Sequence, residues 1–407
     1  MPAVAVTRGR LTGLHEIVDV GRDRARGGYS RHVWQPAEIE LRAWFVERAE
    51  RLGLGVEHDR NGNIWAWWGA PGDDAVVVGS HLDSVPGGGE YDGPLGVVSA
   101  LDAIALLQST GFTPGRPCAV VVFAEEEGSR FGVACLGSRL MTGAIDPERA
   151  GALADADADG VRFAEAAEAN GIAARHLGRD DAALGRIGLF LELHVEQGRG
   201  LIGLDSPVAV ASSILAHGRW RIDIAGEANH AGATRMGDRR DPMVAAARGI
   251  VAVRDAAAAR GDDRATVGRI HALPGGTNVI PSAVTTWLDA RSARDDDTRD
   301  LVAEITARVG AAAAAEGCSV TVVEESWSGA VHFDPVLRDG LAARLGGIPA
   351  LPTGAGHDAG ILAAHVPTAM LFVRNPSGVS HSPEEHATLD DAVAGVVALE
   401  HVLRGLL

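Results

Sequence analysis

The stretch Ala75-Val-Val-Val-Gly-Ser-His81-Leu-Asp83 indicates how the first part of the chain folds. A run of valines without polar alternation is typical of a strand buried on both faces, and therefore of a parallel sheet. Two further apolar runs, Ala119–Ala124 and Leu189–Leu193, have the same character, and Val56–Trp68 also predicts a strand. Leu95–Leu107 repeats apolar residues at helical spacing. Strands that alternate with helices predict an α/β layered fold.

Imidazole and carboxylate side chains stand just beyond the ends of these runs and of a later one at Thr368–Val373. Because ligands gather at the carboxyl ends of strands in an open α/β sheet, we expect these side chains to converge. Imidazoles and carboxylates suit zinc and its first-row neighbours. The predicted metal ligands are His81, Asp92, Glu127, His194 and His381.

Neighbouring carboxylates have predicted supporting roles. Asp83, two residues after His81, could accept the second imidazole N–H and fix the tautomer of a metal-binding histidine. Asp92 could bridge two cations, one on each oxygen, and such a pair acidifies a bound water molecule. Glu126 and Glu127 diverge in an extended segment, so one can bind metal while the other faces the water as a general base.

Composition narrows the class of protein. The 407 residues are 46% apolar and 22% charged, as in an ordinary soluble protein with room for two domains. The net charge of -17 argues against a nucleic-acid partner, and the absence of lysine excludes a lysine Schiff base. Three cysteines without a C-x-x-C pair predict neither a disulfide framework nor a thiolate zinc site. No run approaches the ~20 apolar residues of a membrane span, so we expect no membrane partner and a cytoplasmic location.

The pattern changes after about residue 208. Strand and helix signals then follow the order β-α-β-β-α-β, the split βαβ pattern. These signals lie at Trp220–Ala225, Pro242–Ala258, Thr266–Ala272, Val284–Arg291, Asp296–Ala315 and Ser319–Glu324. The first pattern resumes with a loop and helix at residues 354–364. We therefore predict a catalytic domain of residues 1–208 and 328–407, with residues 209–327 inserted as a second domain.

Eight segments in order along the chain resemble the hydantoinase/carbamoylase group of the M20 (aminoacylase-like) metallopeptidases. This group includes N-carbamoyl-L-amino-acid hydrolases, allantoate amidohydrolases and β-ureidopropionases. The resemblance implies an α/β fold in which a mixed-sheet, zinc-peptidase-like catalytic domain carries an inserted ferredoxin-like lid and dimerisation domain. The segments are Gly79–Val85, Gly89–Gly93, Glu126–Phe131, His194–Gly198, Asn229–Gly232, Asn278–Pro281, Gly354–Ala359 and Ser380–Pro383.

The resemblance also implies roles for individual residues. One ion would be held by His81, Asp92 and His194, and the other by Asp92, Glu127 and His381. The ions would be zinc, with manganese, cobalt or nickel as alternatives. Glu126 would be the general base, and His230 would polarise the scissile carbonyl from its own or the partner subunit of a homodimer. The expected substrate-binding residues are Gln197, Asn278, Arg291, Gly356 and His357, with Asn278 and Arg291 as the clamp for the α-carboxylate.

The expected reaction is hydrolysis of the C–N bond of N-carbamoyl-L-amino acids at a binuclear metal site. Allantoate amidohydrolase is the alternative, because the same ligands and the same carboxylate clamp serve both reactions. A peptidase or aminoacylase fits less well, since the clamp favours a short substrate with a free α-carboxylate. A non-catalytic metal-binding protein would need no base beside the water.

Two arginines depart from the usual motifs of the group. Arg235 lies in the lid motif, and Arg374 precedes the last metal ligand. They could accept a second carboxylate, so a further alternative substrate is an N-carbamoyl or N-formyl derivative of an acidic amino acid such as glutamate. The competing interpretation is that both arginines pair with local acids such as Asp238 or Glu384.

Overall fold

The computed structural model describes residues 12–156 and 160–407. Numbered in chain order, the strands are β1 Gly55–His58, β2 Ile64–Trp68, β3 Ala75–His81, β4 Cys118–Phe123, β5 Ile187–Val195, β6 Val208–Ile214, β7 Ala216–Ala225, β8 Asn229–His230, β9 Arg264–Leu273, β10 Val279–Ile280, β11 Ala283–Ser292, β12 Ser319–Ser328, β13 Val331–His332, β14 Ala350–Thr353 and β15 Thr368–Val373. The helices are α1 Thr12–Ile17, α2 Pro36–Arg51, α3 Pro94–Ser109, α4 Leu136–Thr142, α5 Pro147–Gly151, α6 Phe163–Ala169, α7 Asp181–Gly185, α8 Pro242–Ala258, α9 Asp295–Ala315, α10 Pro335–Arg344, α11 Asp358–Leu362 and α12 Leu389–Leu406.

Residue contacts divide the chain into two units. The first comprises the described residues up to Ser213 together with His332–Leu407, and the second is Ile214–Val331. The second unit is thus an insertion in the sequence of the first. Among the residues that the structure describes, no helix is both long and apolar enough to cross a membrane.

The first unit is built on a nine-stranded mixed sheet. Its strand order is β1-β2-β4-β3-β5-β15-β6-β13, and β14 pairs with β6. The four central strands β4, β3, β5 and β15 are parallel, whereas β2 and β6 run antiparallel to their neighbours. The predicted mixed α/β architecture is confirmed. Because the central strands are parallel, their carboxyl ends all lie at one edge of the sheet.

Helices bury the central strands. α3 packs on β3, β4 and β5, and α12 packs on α3 and β15. The valines of β3 and β4 are fully buried because apolar side chains fill both faces of this part of the sheet. Phe131, Leu140 and Phe163 belong to a separate apolar cluster. The residues that follow the strand ends are therefore attached to a rigid frame.

One strand prediction is wrong in detail. The apolar pattern of Val56–Trp68 predicts a single strand, but the structure has β1 and β2 with a turn between them. The carboxylate of Asp59 accepts the backbone N–H groups of Asn61 and Asn63, at 2.9 Å each. A short acidic side chain that binds its own backbone two residues on favours a turn over a continuous strand.

The second unit is a four-stranded antiparallel sheet of order β12-β7-β11-β9. Its elements follow one another as β-α-β-β-α-β, and α8 and α9 pack on the sheet. Buried and partly exposed residues alternate along β11, so one face of the sheet is covered by the helices and the other is open. A ribbon of β8 and β10 continues beyond the end of the sheet where Ala225 pairs with Ala283.

Gly79 in β3 is a position where any side chain would collide with the neighbouring strand. A Cβ there would lie 2.0 Å from the carbonyl oxygen of Val121 in β4. We expect Gly79→Ala to lower the free energy of unfolding by about 3 kcal/mol, because the backbone of β4 cannot yield without separating the strands. Urea unfolding measures the change. The control is Gly55→Ala in β1, where nothing lies within 4 Å of the added Cβ; equal losses in both variants would contradict the packing argument.

Candidate metal centre

The carboxyl ends of the central strands bring together the predicted metal ligands of the first unit. His81 is the last residue of β3, His194 lies in β5, and Glu127 follows β4. The rings of His81 and His194 stack with centroids 5.7 Å apart. The structure brings together two groups of potential ligand atoms, and within each group all the atoms lie within 4.8 Å of one another. The first group is His81, Asp92 and His194, and the second is Asp92, Glu127 and His381.

Asp92 belongs to both groups. Its Oδ1 lies 3.2 Å from His194 Nε2 and 3.7 Å from His81 Nε2, whereas its Oδ2 lies 3.7 Å from His381 Nε2. The same His381 nitrogen is 3.5 Å from Glu127 Oε2. Each oxygen of Asp92 therefore faces a different group, as in a carboxylate that bridges two cations.

The backbone fixes the tautomers of the two buried histidines. The Nδ1 of His81 lies 3.0 Å from the carbonyl oxygen of Asp83, and the Nδ1 of His194 lies 2.9 Å from that of Val195. A carbonyl oxygen only accepts hydrogen bonds, so Nδ1 carries the proton in both rings. In the neutral form of each ring, Nε2 then presents its lone pair to the ligand cluster, which is the form that binds a metal.

Gly93, directly after Asp92, allows this close approach. Its φ is +80°, and a Cβ would lie 2.4 Å from His81 Cε1. Only glycine adopts this backbone conformation without strain and leaves room for the imidazole. Gly93 is also the N-cap of α3, so Asp92 lies just before the start of that helix.

Asp83 supports the site in a different way from the one predicted. The sequence suggested that its carboxylate orients His81, but the carboxylate oxygen lies 3.6 Å from Nδ1 and its own carbonyl is nearer. The carboxylate accepts the backbone N–H groups of Glu126 and Glu127, at 3.2 and 3.0 Å. Asp83 therefore holds the acidic segment after β4 against the end of β3.

The three consecutive glutamates have separate positions. Glu125 has a φ of 54°, and its carboxylate accepts the backbone N–H groups of Arg130 and Phe131, so it shapes the loop. Glu126 Oε2 lies 3.6 Å from His81 Nε2, on the side of the first ligand group. Glu127 points towards His381 in the second group. The divergence of Glu126 and Glu127 predicted from an extended segment is thus found.

The electrostatics of the cluster fit a bound cation. Burial raises the pKa of Glu126 to about 7 against the opposing effect of His81. Burial and the Asp92 carboxylate raise the pKa of Glu127 well above its usual range. Although burial acts the other way, the carboxylates of Glu126 and Asp83 raise the pKa of His81 well above its usual value. Crowded carboxylates thus favour positive charge where the imidazole nitrogens point, and a divalent ion would supply that charge.

The remaining predicted residues of the first unit lie around this cluster. The side-chain amide of Gln197 donates to Asp92 Oδ2 at 3.0 Å, so it contacts the shared carboxylate. His381 is half exposed, and its backbone N–H donates to the buried Glu385. His357 is buried with its ring 4.5 Å from that of His194, whereas Gly356 beside it is exposed.

His357 is an unusual buried histidine. Among the residues that the structure describes, neither of its ring nitrogens has a hydrogen-bond partner, and burial lowers its pKa well below the usual value. It forms a third group of potential ligand atoms with Glu192 and His194. Glu192 is held by Ser80 Oγ and the backbone N–H of Ala359, at 2.8 and 3.0 Å. A neutral imidazole in this position can bind either a metal or a polar ligand atom.

In the second unit, His230 lies in β8, and Asn278 directly precedes β10, the strand that pairs with β8. His230 pairs with Val279 in the β8–β10 ribbon, and the backbone N–H of Ala231 donates to the carbonyl of Asn278 at 3.0 Å. The Nδ1 of His230 accepts the backbone N–H groups of Gly232 and Ala233, at 3.0 and 3.2 Å. The proton of the neutral ring is therefore on Nε2, which is exposed and can donate to a substrate oxygen.

Arg291 lies at the other end of the same sheet. It stands eight residues along β11 from Ala283, roughly 26 Å at the usual rise of a strand. The β8–β10 ribbon leaves the sheet at the Ala283 end. Arg291 Nε and Nη2 bind the two oxygens of Asp289, at 2.7 and 3.0 Å. Arg291 and the end of the sheet from which the ribbon with Asn278 leaves are therefore a strand's length apart, and the clamp of Asn278 and Arg291 stays a prediction.

The two arginines that depart from the family motifs have different environments. Arg374 binds both oxygens of Asp391, at 3.1 and 2.7 Å, at the start of α12. Arg374 thus pairs with a local acid, as the competing interpretation expected, although the partner is neither Asp238 nor Glu384; its role in specificity stays a prediction. Arg235 is exposed and forms no ion pair with any residue in the described ranges.

Cys135 is a residue near the site that the sequence did not single out. Its thiol donates to Glu126 Oε1 at 3.4 Å, and both side chains are buried. Its backbone N–H also donates to the carbonyl of Glu126 at 2.6 Å. A lone cysteine nine positions after the glutamate carries no recognisable pattern, and only the loop between β4 and α4 brings the two together.

The fold and the site together define a class of protein: a metal-dependent hydrolase of mixed α/β fold, with a metal-ligand cluster and a buried acid whose pKa lies near neutrality. The sequence profile of peptidase family M20/M25/M40 matches residues 77–405. An N-carbamoyl-L-amino acid amidohydrolase of Geobacillus stearothermophilus is 36% identical over 396 residues, which cover 96% of this chain and 96% of that protein. An allantoate amidohydrolase of Escherichia coli is 32% identical over 398 residues, which cover 94% of each chain.

A solved structure gives the same answer. The crystal structure of a hydantoinase/carbamoylase family amidase from Burkholderia multivorans matches 100% of this chain and 99% of its own, with a TM-score of 0.88 and 31% identity. The chain therefore belongs to peptidase family M20/M25/M40, within its hydantoinase/carbamoylase group. The family inferred from the eight sequence segments is confirmed.

The contact between Cys135 and Glu126 predicts an effect on turnover. We expect Cys135→Ala to lower kcat by about three- to tenfold with little change in KM, because Glu126 loses a hydrogen-bond donor that orients it. Cys135→Ser should restore most of the activity, since a hydroxyl also donates. Steady-state kinetics measure both values, with Cys318→Ala in the second unit as control. Equal losses in the alanine and serine variants would point to packing instead of orientation.

Proposed function

We propose that the protein is an amidohydrolase that cleaves the C–N bond of N-carbamoyl-L-amino acids. The observation that carries the proposal is the position of Asp92 between two groups of metal-binding atoms, with Glu126 beside the first group. The name of the Geobacillus relative, an N-carbamoyl-L-amino acid amidohydrolase, supports this substrate class. Allantoate is the alternative substrate, supported by the name of the Escherichia coli relative.

Two divalent ions would be held by the residues already described. His81, Asp92 and His194 would hold one, and Asp92, Glu127 and His381 the other. Mixed imidazole and carboxylate ligands favour zinc, and manganese, cobalt or nickel would also fit. Bound ions would lower the pKa of a water molecule and polarise the carbonyl that it attacks.

Side chains of the protein would carry out the proton transfers and stabilise the developing charge. Glu126 accepts a proton from the attacking water, and its raised pKa suits it to return that proton to the leaving nitrogen. His230 donates from Nε2 to the carbonyl oxygen as negative charge develops there. Gln197, Gly356 and His357 would contact the substrate, and Arg291 would bind its α-carboxylate.

The inserted unit would act as a ferredoxin-like lid and dimerisation domain, corresponding to residues 209–327 of the sequence prediction. The separation of Arg291 from the ribbon that carries His230 and Asn278 supports a homodimer in which one site uses residues of two subunits. β9 is the terminal strand of its sheet, and Ile270 on it is 49% exposed. Val251 on α8 is 57% exposed. An unpaired strand edge beside exposed apolar side chains suits pairing with a second copy.

A substrate panel with defined metals tests the proposal. We expect the metal-stripped protein to be inactive and to regain activity with two equivalents of a divalent ion per chain. Loaded protein should hydrolyse N-carbamoyl-L-amino acids with a higher kcat/KM than allantoate or a dipeptide. Ammonia and amino-acid release measure the rates. A faster reaction with allantoate would favour the alternative, and activity on the dipeptide alone would reject both.

The role of Glu126 has a separate test. We expect Glu126→Gln to lower kcat by about 10²–10⁴-fold, because an amide cannot accept the proton of the attacking water. The variant should still bind its full complement of metal, since Glu126 lies outside both ligand groups. Metal analysis accompanies the kinetics, and Glu127→Gln serves as the comparison that should lose metal. Full turnover in Glu126→Gln would exclude it as the base.

A further inference from the structure

The open face of the sheet in the second unit has an unusual concentration of charge at one end. Paired residues of adjacent antiparallel strands point to the same side of the sheet, so the register identifies which side chains are neighbours. We call the last two rows of this face the terminal rows. They consist of Arg264, Arg291, His217 and Ser328 in one row and Thr266, Asp289, Arg219 and Ser326 in the next.

These side chains lie away from the helices. Arg291 and Asp289 are at partly exposed positions of β11, where the alternate residues Leu288 and Ala290 are buried in the core under α8 and α9. Arg219 is 68% exposed, and Arg264 is also exposed. No helix of this unit covers the side chains of the terminal rows, so a ligand can reach them.

The terminal rows hold more positive than negative charge. Three guanidinium groups face one carboxylate, and Arg291 already binds both oxygens of that carboxylate, Asp289. Arg219 Nε is 3.8 Å from the same carboxylate. Burial, together with Arg291, lowers the pKa of His217, so this residue is neutral at pH 7. The excess is therefore two positive charges, in a chain whose net charge is -17.

The placement of Arg264 has no structural benefit in the described fold. It is the direct cross-strand partner of Arg291, and like charges in that relation destabilise a sheet. Its guanidinium donates to the carbonyl oxygen of Asp262 at 3.3 Å, and no carboxylate within the described part of the chain forms an ion pair with it. The three hydroxyl groups of the terminal rows, on Thr266, Ser326 and Ser328, add further hydrogen-bond donors. Such a set suits an anion with more than one negative group.

We propose that the terminal rows bind both carboxylates of a dianionic substrate, so that the enzyme prefers N-carbamoyl derivatives of acidic amino acids such as glutamate. The inference rests on the proposed function, in which Arg291 binds the α-carboxylate. A neutral amino-acid derivative brings one negative charge and leaves one cation of the rows without a partner. An acidic derivative brings two, and Arg264 with Arg219 accepts the second.

The test compares two substrates that differ by one charge at nearly constant shape, N-carbamoyl-L-glutamate and N-carbamoyl-L-glutamine. With metal-loaded protein, we expect kcat/KM for the glutamate derivative to be at least about tenfold higher. Arg264→Gln should remove about tenfold of that preference through KM for the glutamate derivative, with the glutamine derivative nearly unchanged. Arg264→Lys should keep most of the preference. Rising salt should reduce it in the unaltered protein because the charges are exposed.

The matched control is Arg269→Gln. Arg269 lies on the same strand but outside the terminal rows, with its guanidinium stacked 4.2 Å from the centre of the Trp287 ring. We expect this variant to retain the glutamate preference. A ratio near one in the unaltered protein, or equal losses with both substrates in Arg264→Gln, would overturn the inference while leaving the proposed function intact. Hydrolysis of neither substrate would reject the proposed function, and the assignment of the terminal rows with it.

Discussion

The site depends on buried negative charge that meets at one edge of a parallel sheet. Asp92 places one oxygen near His81 and His194 and the other near His381. Burial and the nearby Asp92 carboxylate raise the pKa of Glu127, and the strand ends cannot separate the two groups because the strands are packed on both faces. Divalent cations between these groups would relieve the repulsion, and the same cations would supply the chemistry of a hydrolase.

Backbone groups, more than side chains, prepare the site for this task. Carbonyl oxygens of Asp83 and Val195 select the histidine tautomers, and N–H groups of Glu126 and Glu127 are held by the Asp83 carboxylate. Gly93 adopts a left-handed conformation that leaves space for an imidazole. Supporting contacts of this kind fix side-chain orientation before any ligand binds, which is what precise catalysis requires.

The two ends of the inserted sheet have distinct characters. One end continues into the ribbon of His230, whose exposed Nε2 is a hydrogen-bond donor. The other end carries an excess of arginine around Asp289. A ten-residue strand separates the two, so the groups proposed to stabilise the oxyanion and to bind the substrate carboxylate belong to different regions of the unit.

The sequence by itself determined the family, the buried strands of the central sheet, the bounds of α8 and the identity of the residues that converge on Asp92. Valine runs, helical spacing and polar residues at strand ends are local patterns. Each involves residues close together in the sequence, so each can be recognised without the tertiary structure. Only the tertiary structure decided the turn within residues 56–68, the hydrogen bond from Cys135 to Glu126, the pairing of Arg374 with Asp391, and the distance between Arg291 and the His230 ribbon. These depend on strand register and on contacts between segments distant in sequence, which no local pattern encodes.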